Sequence, residues 1–79
     1  MSNLSKLKTA FSQALGIDKN DIVDTLNYQS IAEWDSISHM VLITELEDIF
    51  DISIDTDDVI DMSSVAKAKE ILQKYGIEL

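Results

Sequence analysis

Cysteine and proline are absent from this chain of 79 residues, and glycine occurs only twice. Without cysteine the chain can form no disulfide, no thiolate metal site and no cysteine nucleophile. It also lacks an apolar run of the roughly 18 residues that span a bilayer. The opening residues, "MSNLSKLKTAF", contain no apolar segment typical of a signal peptide. We therefore expect no membrane insertion and a cytoplasmic location.

Positive charge is scarce and unevenly distributed. The net charge is −9, and all six cations are lysines, none of which lies between Asn20 and Ala66. This acidic interval would repel nucleic-acid backbones and anionic membranes. It would attract basic proteins and steer their association, which predicts a basic protein partner and no nucleic acid. An acidic surface that only keeps the protein in solution is the alternative.

The length of the chain predicts one domain, residues 1–79. Hydrophobic residues make up 46% of it, which is enough for a core. A core this small cannot also enclose a deep, preformed active site. The size therefore favours a monomeric carrier, binding module or regulator over an enzyme.

Apolar spacing and capping residues predict an all-α fold with three longer helices and one short helix. The predicted helices are about Ser2 to Leu15, residues 36–50, about Thr56 to Asp61, and Ser63 or Ser64 to about Tyr75. Gly16 and Gly76 are interpreted as helix stops. Residues 17–35 are expected to form a long, ordered loop. Its predicted apolar anchors are Ile17, Ile22, Val23, Leu26, Tyr28 and Ile31.

The helix over residues 36–50 has two faces. Its predicted core stripe consists of Leu42, Ile43, Leu46, Ile49 and Phe50. The opposite face, called here the α2 face, consists of Ile37, Met40, Val41, Thr44, Glu47 and Asp48. Three apolar residues in the first two turns of that face are not needed for a core. They indicate a contact surface for another protein.

Asp35 and Ser36 stand at the predicted start of this helix, where Asp and Ser are common capping residues. Ser36 could also accept a phosphate-linked group, because a helix N-terminus tolerates a phosphate. The sequence shows no obvious base for Ser36, so another protein would have to supply the catalysis. The only histidine, His39, is interpreted as a partly buried tether for the loop. Trp34 is either a core residue or a rim contact beside Ser36.

The acids in "DISIDTDD", residues 51–58, resemble the alternating ligands of a calcium-binding loop. Thr56 replaces the glycine that such a loop requires, and Met62 replaces its last glutamate. With one histidine and no cysteine, a zinc site is also not expected. The sequence therefore predicts neither a metal site nor a catalytic residue.

The stretches "WDSISHMVLITELEDIFDISI" and "DTDDVIDMSSVAKAKEIL" resemble the acyl carrier and peptidyl carrier protein family. The family motif Asp-Ser-Leu reads Asp35-Ser36-Ile37 here. Leu46, Glu47 and Phe50 match the "LE…F" pattern after it, and the resemblance covers about residues 30–75. It implies a small antiparallel bundle with a long loop between its first two helices.

The resemblance also implies a covalent 4′-phosphopantetheine group on Ser36. A phosphopantetheinyl transferase (holo-acyl-carrier-protein synthase) would attach it from coenzyme A with magnesium, and Asp35 would orient the transferase and its magnesium. Acyl or aminoacyl groups would then be carried as thioesters. The implied partners are an acyl-activating ligase, an acyltransferase or a ketosynthase. They would dock on the α2 face and on Val59 and Ile60 of the short helix.

One position departs from the pattern of the fatty-acid carriers, which commonly have a glutamate five residues after the serine. This chain has Val41 there. We interpret the chain as a specialised, stand-alone carrier with few dedicated partners. Its pathway could be fatty-acid-like, polyketide, secondary-metabolite or cell-surface biosynthesis. An unmodified acidic helical module for protein interaction is the alternative function.

Overall fold

Four α-helices form the fold in the computed structural model, which describes residues 2–79. They are α1 (Asn3–Leu15), α2 (Ser36–Phe50), α3 (Thr56–Asp61) and α4 (Val65–Lys74). A short 3₁₀ helix (Lys19–Asp21) interrupts the long loop between α1 and α2. The prediction of an all-α fold with three longer helices and one short helix is confirmed.

Side-chain caps mark the start of the three longer helices. The side chains of Ser2, Asp35 and Ser64 each accept a hydrogen bond from a backbone N–H in the first turn of α1, α2 and α4. Such bonds satisfy donors that a helix leaves unpaired at its start. Gly16 ends α1 with φ at 69°, a backbone conformation that favours glycine.

A single hydrophobic core lies between the helices. Its buried apolar residues are Leu7, Ala10, Phe11, Leu15, Ile22, Trp34, Leu42, Ile43, Leu46, Met62, Val65, Ala68, Ile71 and Leu72. Trp34 has no exposed surface and meets Phe11 edge to face, with ring centroids 5.4 Å apart. Such contacts add to the stabilisation from burial. The structure therefore places Trp34 in the core, not at the rim.

The long loop is tied to the turn between α3 and α4 by main-chain hydrogen bonds. Tyr28 N donates to Ser63 O over 2.8 Å, and Val65 N donates to Leu26 O over 3.0 Å. These bonds explain how a connection of this length stays ordered. The prediction that Val23 anchors the loop is wrong, because Val23 is 50% exposed. Its neighbour Ile22, also a predicted anchor, is buried.

A buried carboxylate fastens α3 to α4. Asp58 is only 4% exposed, and its two oxygens receive hydrogen bonds from Lys74 Nζ and Tyr75 Oη, each over 2.5 Å. Tyr75 Oη also accepts a hydrogen bond from the backbone N–H of Asp55, over 2.9 Å. The hydrogen bond from Lys74, followed by that from Tyr75, lowers the pKa of Asp58 below its ordinary value.

We expect Asp58→Asn to weaken the fold in a pH-dependent way. Because the folded state lowers the pKa of Asp58, the carboxylate stabilises the fold above its ordinary pKa of 3.8. This contribution is lost as the pH falls through the lowered pKa. The variant should lower the urea midpoint by roughly 1 M at neutral pH. The difference should shrink in strong acid, whereas Asp57→Asn, in an exposed position on the same helix, should change little at any pH.

Candidate functional site

Ser36 is the first residue of α2 and is exposed. Asp35 precedes it in an extended conformation, and its Oδ1 accepts a hydrogen bond from Ser38 N over 2.8 Å. That bond lowers the pKa of Asp35, so its carboxylate is ionised at neutral pH. Ser36 thus presents a hydroxyl to solvent at the positive end of a helix.

An open groove of about 370 Å³ lies beside Ser36, between the start of α2 and the end of α3. Ser36, His39 and Met40 line it from α2, and Val59 and Ile60 line it from α3. Tyr28, Met62 and Ser63 complete the lining. Mostly apolar walls with a few polar groups are typical of sites that hold small organic groups. The sequence did not reveal which residues would form such a space.

His39 joins three parts of the structure at the inner side of this groove. Its Nδ1 lies 3.0 Å from Trp34 Nε1, and its Nε2 lies 2.8 Å from the carbonyl oxygen of Val59. Because the indole N–H can only donate, Nδ1 is the acceptor, and Nε2 carries the proton that is donated to Val59. The prediction of a partly buried loop tether is confirmed. Its link to α3 was missed, since no sequence spacing reveals a backbone carbonyl as a partner.

The α2 face and the adjoining part of α3 are largely apolar where they border Ser36. Ile37 is 77% exposed and Ile60 is 74% exposed, and Met40 and Val41 are exposed as well. The side chains therefore form an apolar border on both sides of the groove. Val59 is half-buried, and its carbonyl oxygen is bonded to His39.

The three polar residues of the α2 face differ in their exposure and in their hydrogen bonds, which the sequence did not indicate. Asp48 is exposed, and Thr44 Oγ1 bonds back to Met40 O within its own helix. Glu47 is half-buried, and its Oε2 accepts a hydrogen bond from Ile54 N over 2.8 Å. Part of the Glu47 carboxylate therefore holds the segment that follows α2. Sequence periodicity alone could not separate this role from a role in docking.

Two further properties concern metals and membranes. Among residues 2–79, no three His, Asp or Glu side chains lie close enough together to hold a metal ion. No helix in the described part of the chain is long and apolar enough to cross a membrane.

Comparison with known proteins adds a family match to this geometry. A family model described as "Phosphopantetheine attachment site" matches residues 5–72. An acyl carrier protein of Lactobacillus johnsonii is 31% identical over 71 residues, covering 90% of this chain and 89% of that protein. An acyl carrier protein of Karelsulcia muelleri is 31% identical over 72 residues, covering 91% of this chain and 87% of that protein. The family match includes most of α1, about which the sequence motifs were uninformative.

Proposed function

Because the chain belongs to the acyl carrier protein family, we propose that it carries acyl or aminoacyl groups as thioesters on a 4′-phosphopantetheine attached to Ser36. Members of this family are carriers and not enzymes, and the prosthetic group is a family property. The assignment to Ser36 rests on one observation. This serine is exposed at the start of α2 and borders the groove. We further propose that residues 1–79 act as a single carrier domain.

The surroundings of Ser36 fit such a group. A phosphodiester on its Oγ would lie at the positive end of α2, and the attached arm would leave from an exposed position beside an apolar groove. The bound group supplies a thiol, which a cysteine-free chain cannot provide itself. The side chains around Ser36 therefore hold the group and expose its thiol to partner enzymes. They contribute to the thioester chemistry only by positioning the group.

Attachment consists of one phosphoryl-type transfer. Ser36 Oγ bonds to a phosphorus of coenzyme A, the phosphoanhydride bond breaks, and adenosine 3′,5′-bisphosphate leaves. The hydroxyl proton passes to a base of the transferase. Asp35 is oriented by its bond to Ser38 N and remains ionised, so it can attract the magnesium ion that the transferase brings.

Intact mass spectrometry tests the proposal. After incubation with coenzyme A, magnesium and a broad-specificity transferase, the protein should gain the mass of one phosphopantetheine. Fragmentation should locate the addition on the peptide that contains Ser36. An unchanged mass would instead favour the rival function, an unmodified acidic module that binds other proteins through the same face.

Asp35→Asn should separate the role of Asp35 in attachment from its role in capping. Asparagine caps a helix about as well as aspartate, so we expect an unchanged urea midpoint. Loss of the charge should slow phosphopantetheine transfer roughly tenfold, as initial rates would show. Asp35→Ala should lower both the rate and the stability. Modification of the asparagine variant at the wild-type rate would contradict a role for this carboxylate.

We also propose that partner enzymes dock on the α2 face together with Val59 and Ile60. The exposed apolar border next to Ser36 supports this docking site. The acidic interval between Asn20 and Ala66, which contains Ser36, would steer basic partners toward it. The proposed partner classes are the transferase, an acyl-activating ligase, an acyltransferase and a ketosynthase. The apolar border favours a specialised carrier with few dedicated partners, working in fatty-acid-like, polyketide, secondary-metabolite or cell-surface biosynthesis.

Val41→Glu tests this docking surface. Val41 is 44% exposed on the second turn of α2, so a charge there should leave the fold unchanged. It should lower kcat/KM for loading by the cognate ligase roughly fivefold, because an apolar contact is replaced by a hydrated charge. Val23→Glu, the same change at an exposed valine of the long loop outside this surface, serves as the matched control. Faster loading of Val41→Glu would rule out a dedicated apolar contact.

A further inference from the structure

The groove beside Ser36 has a closed inner end. Met62 lies at its base with 1% of its surface exposed, and Trp34, which does not line the groove, is wholly buried. His39 stands between the groove and Trp34, and its ring meets the indole edge to edge through the hydrogen bond from Trp34 Nε1, with the centroids 6.1 Å apart. On the side that faces Trp34, the groove therefore ends at His39.

The His39 imidazole, which closes the groove at this end, forms a hydrogen bond through each of its two nitrogens. One nitrogen accepts from the Trp34 indole and the other donates to Val59 O in α3. Tyr28 packs against the same ring, with centroids 5.1 Å apart. Moving His39 aside would leave the indole N–H and the Val59 carbonyl without partners, and an acyl chain offers neither a donor nor an acceptor to replace them.

From this geometry, and resting on the proposed carrier function, we propose that His39 is a specificity-determining residue that restricts sheltered cargo to short acyl groups. A volume of about 370 Å³ is near the lower end for ligand pockets, and the tethered arm itself occupies part of it. A short acyl group fits without disturbing the imidazole. A longer chain has to separate α2 from α3 at His39 or remain in solvent.

The wild-type protein supplies the first test. Acetyl, butanoyl, octanoyl and hexadecanoyl forms would be prepared from the corresponding coenzyme A thioesters with a broad-specificity transferase, and each would be verified by intact mass. We expect cleavage of the octanoyl and hexadecanoyl thioesters by hydroxylamine to be no slower than that of the butanoyl thioester. The emission spectrum of Trp34 should be the same in all four forms.

Replacement of His39 by a residue that cannot form these hydrogen bonds should allow the groove to shelter longer acyl chains. In His39→Leu, the octanoyl thioester should be cleaved about fivefold more slowly than the acetyl thioester, and Trp34 emission should shift with chain length. His39→Gln can still donate to Val59 and accept from the indole, so it should keep the wild-type profile. Ile71→Val, a buried change in α4 away from the groove, controls for general loss of stability and should also keep it.

Three outcomes would overturn the proposal. They are at least fivefold protection of octanoyl or hexadecanoyl cargo in the wild-type protein, an unaltered chain-length profile in a folded His39→Leu variant, and a changed profile in His39→Gln. Protection of octanoyl or hexadecanoyl cargo in the wild-type protein would overturn the proposal even if a variant does not fold. Failure of the carrier function itself would be seen earlier, as the absence of any mass gain at loading.

Discussion

Ser36→Ala should abolish attachment of phosphopantetheine completely while leaving the fold intact. The substitution removes the only atom that can bond to phosphorus at this position. Because Asp35 supplies the helix cap, the loss of the Ser36 hydroxyl should not shorten α2. Incubation with coenzyme A and a transferase should give no mass gain, and the circular dichroism spectrum should match that of the wild-type protein.

Ser63→Ala is the matched control for this experiment. Ser63 is also exposed and lines the same groove, but it follows α3 and does not start a helix. This variant should be modified at the wild-type rate. If Ser36→Ala still gained one phosphopantetheine, another hydroxyl would be the attachment site, and the proposed role of the α2 N-terminus would be wrong.

Trp34→Ala should remove a large part of the stability of the fold. Truncation of a fully buried large aromatic side chain costs about 3–5 kcal/mol in free energy of unfolding. Small domains have only about 5–15 kcal/mol in total. The variant also loses the hydrogen bond to His39 and the edge contacts with Phe11 and Tyr28. Urea titration followed by far-ultraviolet circular dichroism measures the change.

Two companion variants make the Trp34 result specific. Val23→Ala removes an exposed side chain from the same loop and should change the free energy of unfolding by no more than about 0.5 kcal/mol. Trp34→Phe keeps a ring in the core but cannot donate to His39, so its stability should lie between those of the wild type and Trp34→Ala. A loss below about 1.5 kcal/mol in Trp34→Ala would show that the core does not depend on this ring.

The features that could be predicted from sequence are those fixed by neighbouring residues. Asp35 caps α2 and Gly16 stops α1, as expected, and α1 and α4 begin within two residues of the predicted starts. Each of these effects depends on a few consecutive residues and on backbone hydrogen bonding within one turn. The motif around Ser36 gave the family for the same reason, since its spacing is local.

The features that could not be predicted depend on residues far apart in the chain. In the sequence, Asp58 is only one of the acids in "DISIDTDD", but α4 brings Lys74 and Tyr75 against it. Glu47 was grouped with the docking residues by helical period, although it also bonds Ile54 N. Such pairings follow from how the helices pack, and no periodicity encodes them.

The main-chain bonds between the long loop and the α3–α4 turn have a consequence for the order of folding. Helices α1 and α2 can form from local contacts, but Tyr28 and Leu26 meet their partners Ser63 and Val65 only after α3 and the first residue of α4 have been synthesised. A nascent chain that ends after α2 thus displays Ser36 without the groove beside it. During translation, Ser36 therefore appears before the groove that it borders is complete.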